Sequence, residues 1–247
     1  MPSSKTSGQV TGRQKRTDVS RLCDALFGAT PLAAQCYVWA TASQRFAAFL
    51  DLYQGKIGKK LRGIGDDGGY LDLLAEVDVA HRLLTERGFT LVYEPYLAER
   101  QRGPDFAVTF KSHTTFTVEV RHLRPSDADA KLRLETILAD KLRQLQPSTP
   151  NVLALVGEPD VASLEQVQAA LETLAAAGQQ KDDDACRRRG FASARDLLRR
   201  MERLSAIAIL ASSTASLYEP PRARHPLPPE LRKTLARAFG TLPQARA

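Results

Sequence analysis

The stretch PDFAVTFKSHTTFTVEVRHL, Pro104 to Leu123, decides how the chain is read. Asp105–Phe110 and Thr114–Leu123 are rich in Val, Thr and Phe, and only Lys111-Ser112-His113 separates them, so the spacing predicts two strands joined by a tight polar turn. Phe89–Leu97, with Leu91, Val92 and Tyr93, adds a strand upstream. Side chains alternate along a strand, which puts Glu119 and Arg121 on one face. Asp105, behind Pro104, opens the neighbouring strand. Two carboxylates and a cation therefore come from adjacent strands.

Working outward, Lys131–Leu145 returns to helical spacing through Leu134, Ile137, Leu138, Leu142 and Leu145, and Asn151–Val156 is a short apolar run suited to a buried strand. Upstream, a helix starts near Asp67 or Tyr70 and runs to Arg87, where Gly88 stops it. The order is helix, three strands, helix, strand. At about 100° per residue, Glu76 falls inside the apolar arc of Leu73, Val77, Ala80, Leu83 and Leu84, whereas Asp78 points away. A carboxylate on an inward helix face is costly unless it is paired or metal-bound.

The flanks are mainly helical. Residues 1–18 are expected to be a disordered tail, and 19–62 to hold helices at Val19–Phe27 and Leu32–Leu61. A loop at Gly63–Gly69 follows a basic helical stretch rather than a strand, so its dinucleotide-like glycine spacing lacks the required context. Residues 63–160 form the predicted core. Beyond it, 161–247 reads as a helical extension, with helices at Leu164–Ala177, Ala192–Leu204 and Pro229–Phe239 and one added strand at Leu204–Ala211.

Composition narrows the classes. With 43% hydrophobic and 26% charged residues, collagen, long coiled coil and wholesale disorder fit poorly. No run approaches the about 18 apolar residues of a membrane span, and the opening residues lack a secretory signal's apolar core, so a cytoplasmic protein is expected. Cys23, Cys36 and Cys186 suit neither a disulfide framework nor a zinc site, and His81, His113, His122 and His225 lack metal-ligand spacing. The net charge of +7 makes an anionic partner plausible. Its cations cluster at Lys56–Arg62 and from Arg187 to Arg203, an electrostatic footprint for phosphate backbones or simply solvated helix surface. Asp182-Asp183-Asp184 beside Arg187-Arg188-Arg189 reads as a charge run.

Pro104-Asp105, thirteen residues, then Glu119-Val120-Arg121, with Glu76 on the preceding helix, resembles the PD-(D/E)XK nuclease-like superfamily. The resemblance covers about a third of the chain, from Leu71 to Val156. It implies a restriction-endonuclease-like α/β core, a small mixed central sheet flanked by helices, here with helical extensions at both ends. It further implies Mg²⁺-dependent (or Mn²⁺-dependent) cleavage of nucleic acid, DNA in preference to RNA. Asp105, Glu119, the Val120 carbonyl and Glu76 would hold the ion. Mg²⁺ chemistry agrees, since the ion takes one or two carboxylates plus water and substrate phosphate.

Arg121 stands where the family has Lys. A guanidinium cannot become a neutral base near pH 7, but it can stabilise a phosphate through charge-assisted hydrogen bonds. Lys141 on the next helix is the candidate substitute, with Lys131 and Gln144 as further candidates for phosphate or water contacts. Each residue also has a plainer reading: Asp105 as a turn residue after proline, Glu119 and Arg121 as a cross-strand pair, Glu76 paired with Arg87 or Arg121. The alternative to a nuclease is a catalytically degenerate module that binds nucleic acid or a protein partner.

Overall fold

Strand alternation in the sequence becomes a six-stranded mixed sheet in the computed structural model, which describes residues 18–28, 30–95, 103–124, 130–157, 163–211 and 214–241. The chain divides into two compact units, Met1–Ile57 and Gly58–Ala247.

In the second unit, β1 (Phe89–Tyr93), β2 (Phe106–Phe110), β3 (Thr114–His122), β4 (Asn151–Val156), β5 (Leu204–Leu210) and β6 (Ala215–Tyr218) lie side by side in chain order. The first three form an antiparallel meander. β4 runs parallel to β3 and β5 parallel to β4, while β6 returns antiparallel. Lys111 and Ser112 turn the chain between β2 and β3 with left-handed φ of 49° and 67°, a conformation matched to the twist of paired strands. Parallel neighbours need crossovers: α5 (Ala130–Leu142) joins β3 to β4, and α6 (Leu164–Gln179), α7 (Asp183–Arg188) and α8 (Ala194–Met201) join β4 to β5.

Burial follows position in the sheet. β1 alternates buried and exposed residues, while every residue of β5 and all but the last of β4 are buried, as expected for central parallel strands covered on both faces. Leu153, Leu155, Ile207 and Ile209 share one apolar cluster with Leu134 and Leu138 of α5, Val167 and Leu174 of α6, and Leu197 of α8. Glu119 and Arg121 pair in register with Leu153 and Leu155, so they project toward the α5 layer. Val118 and Val120 alternate to the other face. α4 (Asp67–Thr85) packs on β1 and β3, and α9 (Pro229–Phe239) packs on α4.

The first unit contains α1 (Val19–Phe27), α2 (Pro31–Ala42) and most of α3 (Gln44–Arg62). Asp18 caps α1 by accepting the Arg21 N–H, and Gly28 ends the helix at φ 53°. The single helix expected over Leu32–Leu61 is broken. Ser43 is extended at φ −132°, ψ 106°, and its Oγ accepts the Phe46 N–H at 3.2 Å, a local bond that competes with helix continuation.

Other expectations shift as well. The 161–247 segment supplies two strands to the sheet rather than one. β6 lacked a signal because its four residues are short, half-buried and without alternation. β1 ends at Tyr93, short of Leu97, which lies outside the described residues together with residues 1–17. The Asp182–Arg189 charge run contains α7, with Asp182 accepting the Ala185 N–H and Asp183 the Ala194 N–H, each at 2.8 Å. Among the described residues, no helix is long and apolar enough to cross a membrane.

A buried asparagine fixes the centre of the sheet. Asn151 Oδ1 accepts from Thr117 Oγ1 of β3 at 2.8 Å and from the Gln146 N–H at 2.9 Å. Its Nδ2 donates to the carbonyls of Gln146, Thr149 and Arg203, and its main-chain N–H donates to Ser205 Oγ of β5 at 2.9 Å. Replacing this side chain leaves several buried groups unpaired, each costing about 1–3 kcal/mol. Asn151→Ala should therefore lower stability in urea denaturation by about 3 kcal/mol, and Thr117→Val by only about 1 kcal/mol.

Candidate functional site

Asp105 sits where the chain enters β2, behind the buried Pro104. Its carbonyl accepts the Glu94 N–H at 2.8 Å, extending the β1–β2 ladder by one step. Its carboxylate reaches across to β3, where Oδ2 accepts the Val120 N–H at 2.7 Å. An aspartate serving only a turn would bond its own backbone. This one is spent on the neighbouring strand instead, beside Glu119.

Glu119 is buried and forms an ion pair with Lys141, whose side chain is 15% exposed. The pairing follows from the layers: Glu119 faces the helical layer of α5, and Lys141 lies in that helix's last turn. Glu76, on α4, is also buried. Lys60 Nζ lies 2.5 and 2.7 Å from its two oxygens, and Tyr93 Oη donates to Oε2 at 2.7 Å. Glu94 Oε1 stands 3.7 Å from the same ammonium. Neither glutamate uses the arginine partners considered from sequence. Arg121 is half-buried, and its side chain makes no hydrogen bond or ion pair among the described residues.

The electrostatics tie these groups together. Burial, then the negative charge of Asp105, raises the Glu76 carboxyl to about 7, against the pull of Lys60 and the Tyr93 hydroxyl. Burial and Asp105 likewise raise Glu119 to about 7, opposed by Lys141. Asp105 itself is raised, mainly by desolvation, with Lys141, the Val120 N–H and Lys60 working the other way. Desolvation lowers Lys60, but the charges of Glu76, Asp105 and Glu94 outweigh it and leave the ammonium raised. Asp105 is thus the common neighbour of two glutamate–lysine pairs, one delivered by α3 and α4, the other by β3 and α5.

The donor atoms here are all oxygens, which suits a hard cation. Among the described residues, however, no group of three or more His, Cys, Asp or Glu side chains is placed to hold a metal ion. Asp105 and Glu119, on adjacent strands, are the carboxylates left to compare with Mg²⁺, which takes one or two carboxylates alongside water and phosphate. Glu76 is committed to Lys60 and Tyr93. Comparison with protein-family models, curated proteins and solved structures finds no match.

The remaining candidates separate. Gln144 donates to the carbonyl of Asp140 in its own helix at 3.3 Å, and the Lys131 side chain lies outside the described residues. Four of the seven arginines from Arg187 to Arg203 are engaged within the fold: Arg187 pairs with Asp184, Arg189 with Glu135 and Arg200 with Asp196, while Arg203 donates to the Leu145 carbonyl. In the other cluster, Lys56 Nζ lies 5.7 Å from the Tyr53 ring centre. Lys60 and Tyr93 are the site residues missed in sequence. Lys60 lies three positions after the buried Ile57, on the inward side of its helix, but the cations around it suggested an exposed run.

The raised carboxyls set a pH dependence. Between about pH 4.5 and 7 the unfolded chain has released protons that folded Glu76 and Glu119 retain. Their contribution to stability is therefore full below pH 4.5 and is lost as pH rises through 7. Measured by urea denaturation, the stability change between pH 5 and 7.5 should differ between wild type and the Glu76→Gln, Glu119→Gln double variant by about 1–3 kcal/mol, with the wild type losing more on the alkaline side.

Proposed function

We propose that this chain is a metal-dependent phosphodiesterase acting on nucleic acid, built on a restriction-endonuclease-like core. The observation that carries the reading is the Lys141 ammonium on Glu119, next to Asp105. A pair of carboxylates with an adjacent lysine is the group of charges that the PD-(D/E)XK resemblance implies, with the lysine drawn from α5 because β3 carries Arg121 in its place. The order α4, β1, β2, β3, α5, β4 supports the same reading.

In this reading Asp105 and Glu119 would hold Mg²⁺ or Mn²⁺, with the Val120 carbonyl as a further ligand. A bound divalent ion supplies Lewis acidity at the phosphate and a bound water of lowered pKa. The chain's own groups do the rest. The Val120 N–H fixes the Asp105 carboxylate, so its orientation costs nothing at the moment of reaction. Lys141 has three N–H donors and, among the described residues, spends one on Glu119, which leaves two for a phosphate oxygen or an attacking hydroxide. Arg121 stays charged throughout and supplies a second cation on the same strand face.

One observation favours a second reading, a nucleic-acid-binding module without turnover: both glutamates are already neutralised by ammonium groups. The two part in a cleavage assay on plasmid and oligonucleotide substrates with Mg²⁺ or Mn²⁺. Asp105→Asn, Glu119→Gln and Lys141→Met should each cut the rate by about a hundredfold or more, and Arg121→Met by about tenfold. EDTA should abolish turnover. Cleavage indifferent to Asp105 and Glu119 removes the site; duplex affinity without turnover under any divalent ion establishes the binding module.

A further inference from the structure

Lys60 is the second ammonium at Asp105, and its surroundings differ from those of Lys141. Both of its hydrogen bonds go to Glu76, one to each oxygen. Glu94 Oε1, at 3.7 Å, is beyond hydrogen-bonding distance. An ammonium has three N–H donors, so the third makes no hydrogen bond among the described residues, with the Glu94 carboxylate at ion-pair distance and the Tyr93 ring centre 5.8 Å from Nζ. The side chain is 34% exposed, against 10% for Glu76, so the lysine is the partly accessible member of this pair and the carboxylate the buried one. Glu76 also accepts from Tyr93 Oη, at Oε2. The buried carboxylate and phenol thus hold a cation at a fixed point within electrostatic reach of Asp105.

We infer that Lys60 is a substrate-contacting residue that donates its third N–H to a phosphate oxygen of bound nucleic acid, and that Glu76 positions Lys60 and is not an ion ligand. The inference rests on reading the site as one that takes nucleic-acid phosphate. A residue whose two spent donors are pinned to a rigid buried base loses little side-chain freedom on binding. An ordinary surface lysine, such as the exposed Lys59 one position earlier, lacks that advantage.

The experiment measures anisotropy of a fluorescein-labelled duplex and its single strand in EDTA, and separately Mn²⁺ binding by electron paramagnetic resonance, on the full chain. Lys60→Met should weaken oligonucleotide affinity by about tenfold to a hundredfold, the range for a hydrogen bond to a charged group, while Lys59→Met changes it by less than about threefold. Since Lys60→Met leaves Glu76 buried without its cation, the Lys60→Met, Glu76→Gln double variant supplies a neutral, foldable counterpart and should show the same loss. Mn²⁺ affinity should stay within about twofold in Glu76→Gln and fall in Asp105→Asn.

Equal effects of Lys59→Met and Lys60→Met, or unchanged affinity in the double variant, overturn the role of Lys60. A loss of Mn²⁺ in Glu76→Gln matching that in Asp105→Asn overturns the role of Glu76. These failures are distinct from failure of the phosphodiesterase reading, whose mark is a wild-type chain that neither binds Mn²⁺ nor cleaves. Selective loss of oligonucleotide affinity in Lys60→Met would then still support the contact.

Discussion

Three carboxylates gathered at one end of a sheet repel one another, and the architecture around them can be understood as the answer to that repulsion. Asp105 is the centre: its charge lifts both Glu76 and Glu119, and its own carboxylate is held by the Val120 amide across the β2–β3 ladder. Compensation arrives from both layers, Lys60 through α3 and Lys141 through α5. Each charged pair is stable in a desolvated place only because both partners are present, since removing one leaves an uncompensated buried charge.

Legibility in the sequence follows how local the signal is. Asn151–Val156 and Pro229–Phe239 match the structure residue for residue, because an apolar run between polar neighbours and a Pro-led amphipathic turn each carry their own boundaries. The alternation through Thr114–His122 placed Glu119 correctly, because a period of two needs no knowledge of the partner strand. Ser43 was harder: one hydroxyl redirected to the Phe46 amide splits a helix that apolar spacing alone makes continuous.

The site was legible in its acids and less so in its bases. Glu76, Asp105 and Glu119 stand out because a carboxylate at an inward position is conspicuous. Lys60 does not, since a cation within Lys56–Arg62 looks like its solvated neighbours, and only the fold shows which of them turns inward. Arg121 illustrates the reverse. It stands where the resemblance leads one to expect a lysine, yet the ion pair on Glu119 belongs to Lys141, twenty-two positions from Glu119 along the chain. Strand sequence specifies a direction, whereas the identity of the group that meets it depends on how α5 crosses the sheet.

The boundary between the two compact units falls inside α3, after Ile57, and Lys60 lies one turn beyond it. A dissection guided by composition would cut at the glycine-rich loop after Arg62 and treat the preceding helix as a detachable leader. That cut would carry away the counter-ion of a glutamate which stays behind in the sheet unit. The smallest fragment with its charges intact therefore starts before Lys60, inside a helix that begins in the other unit.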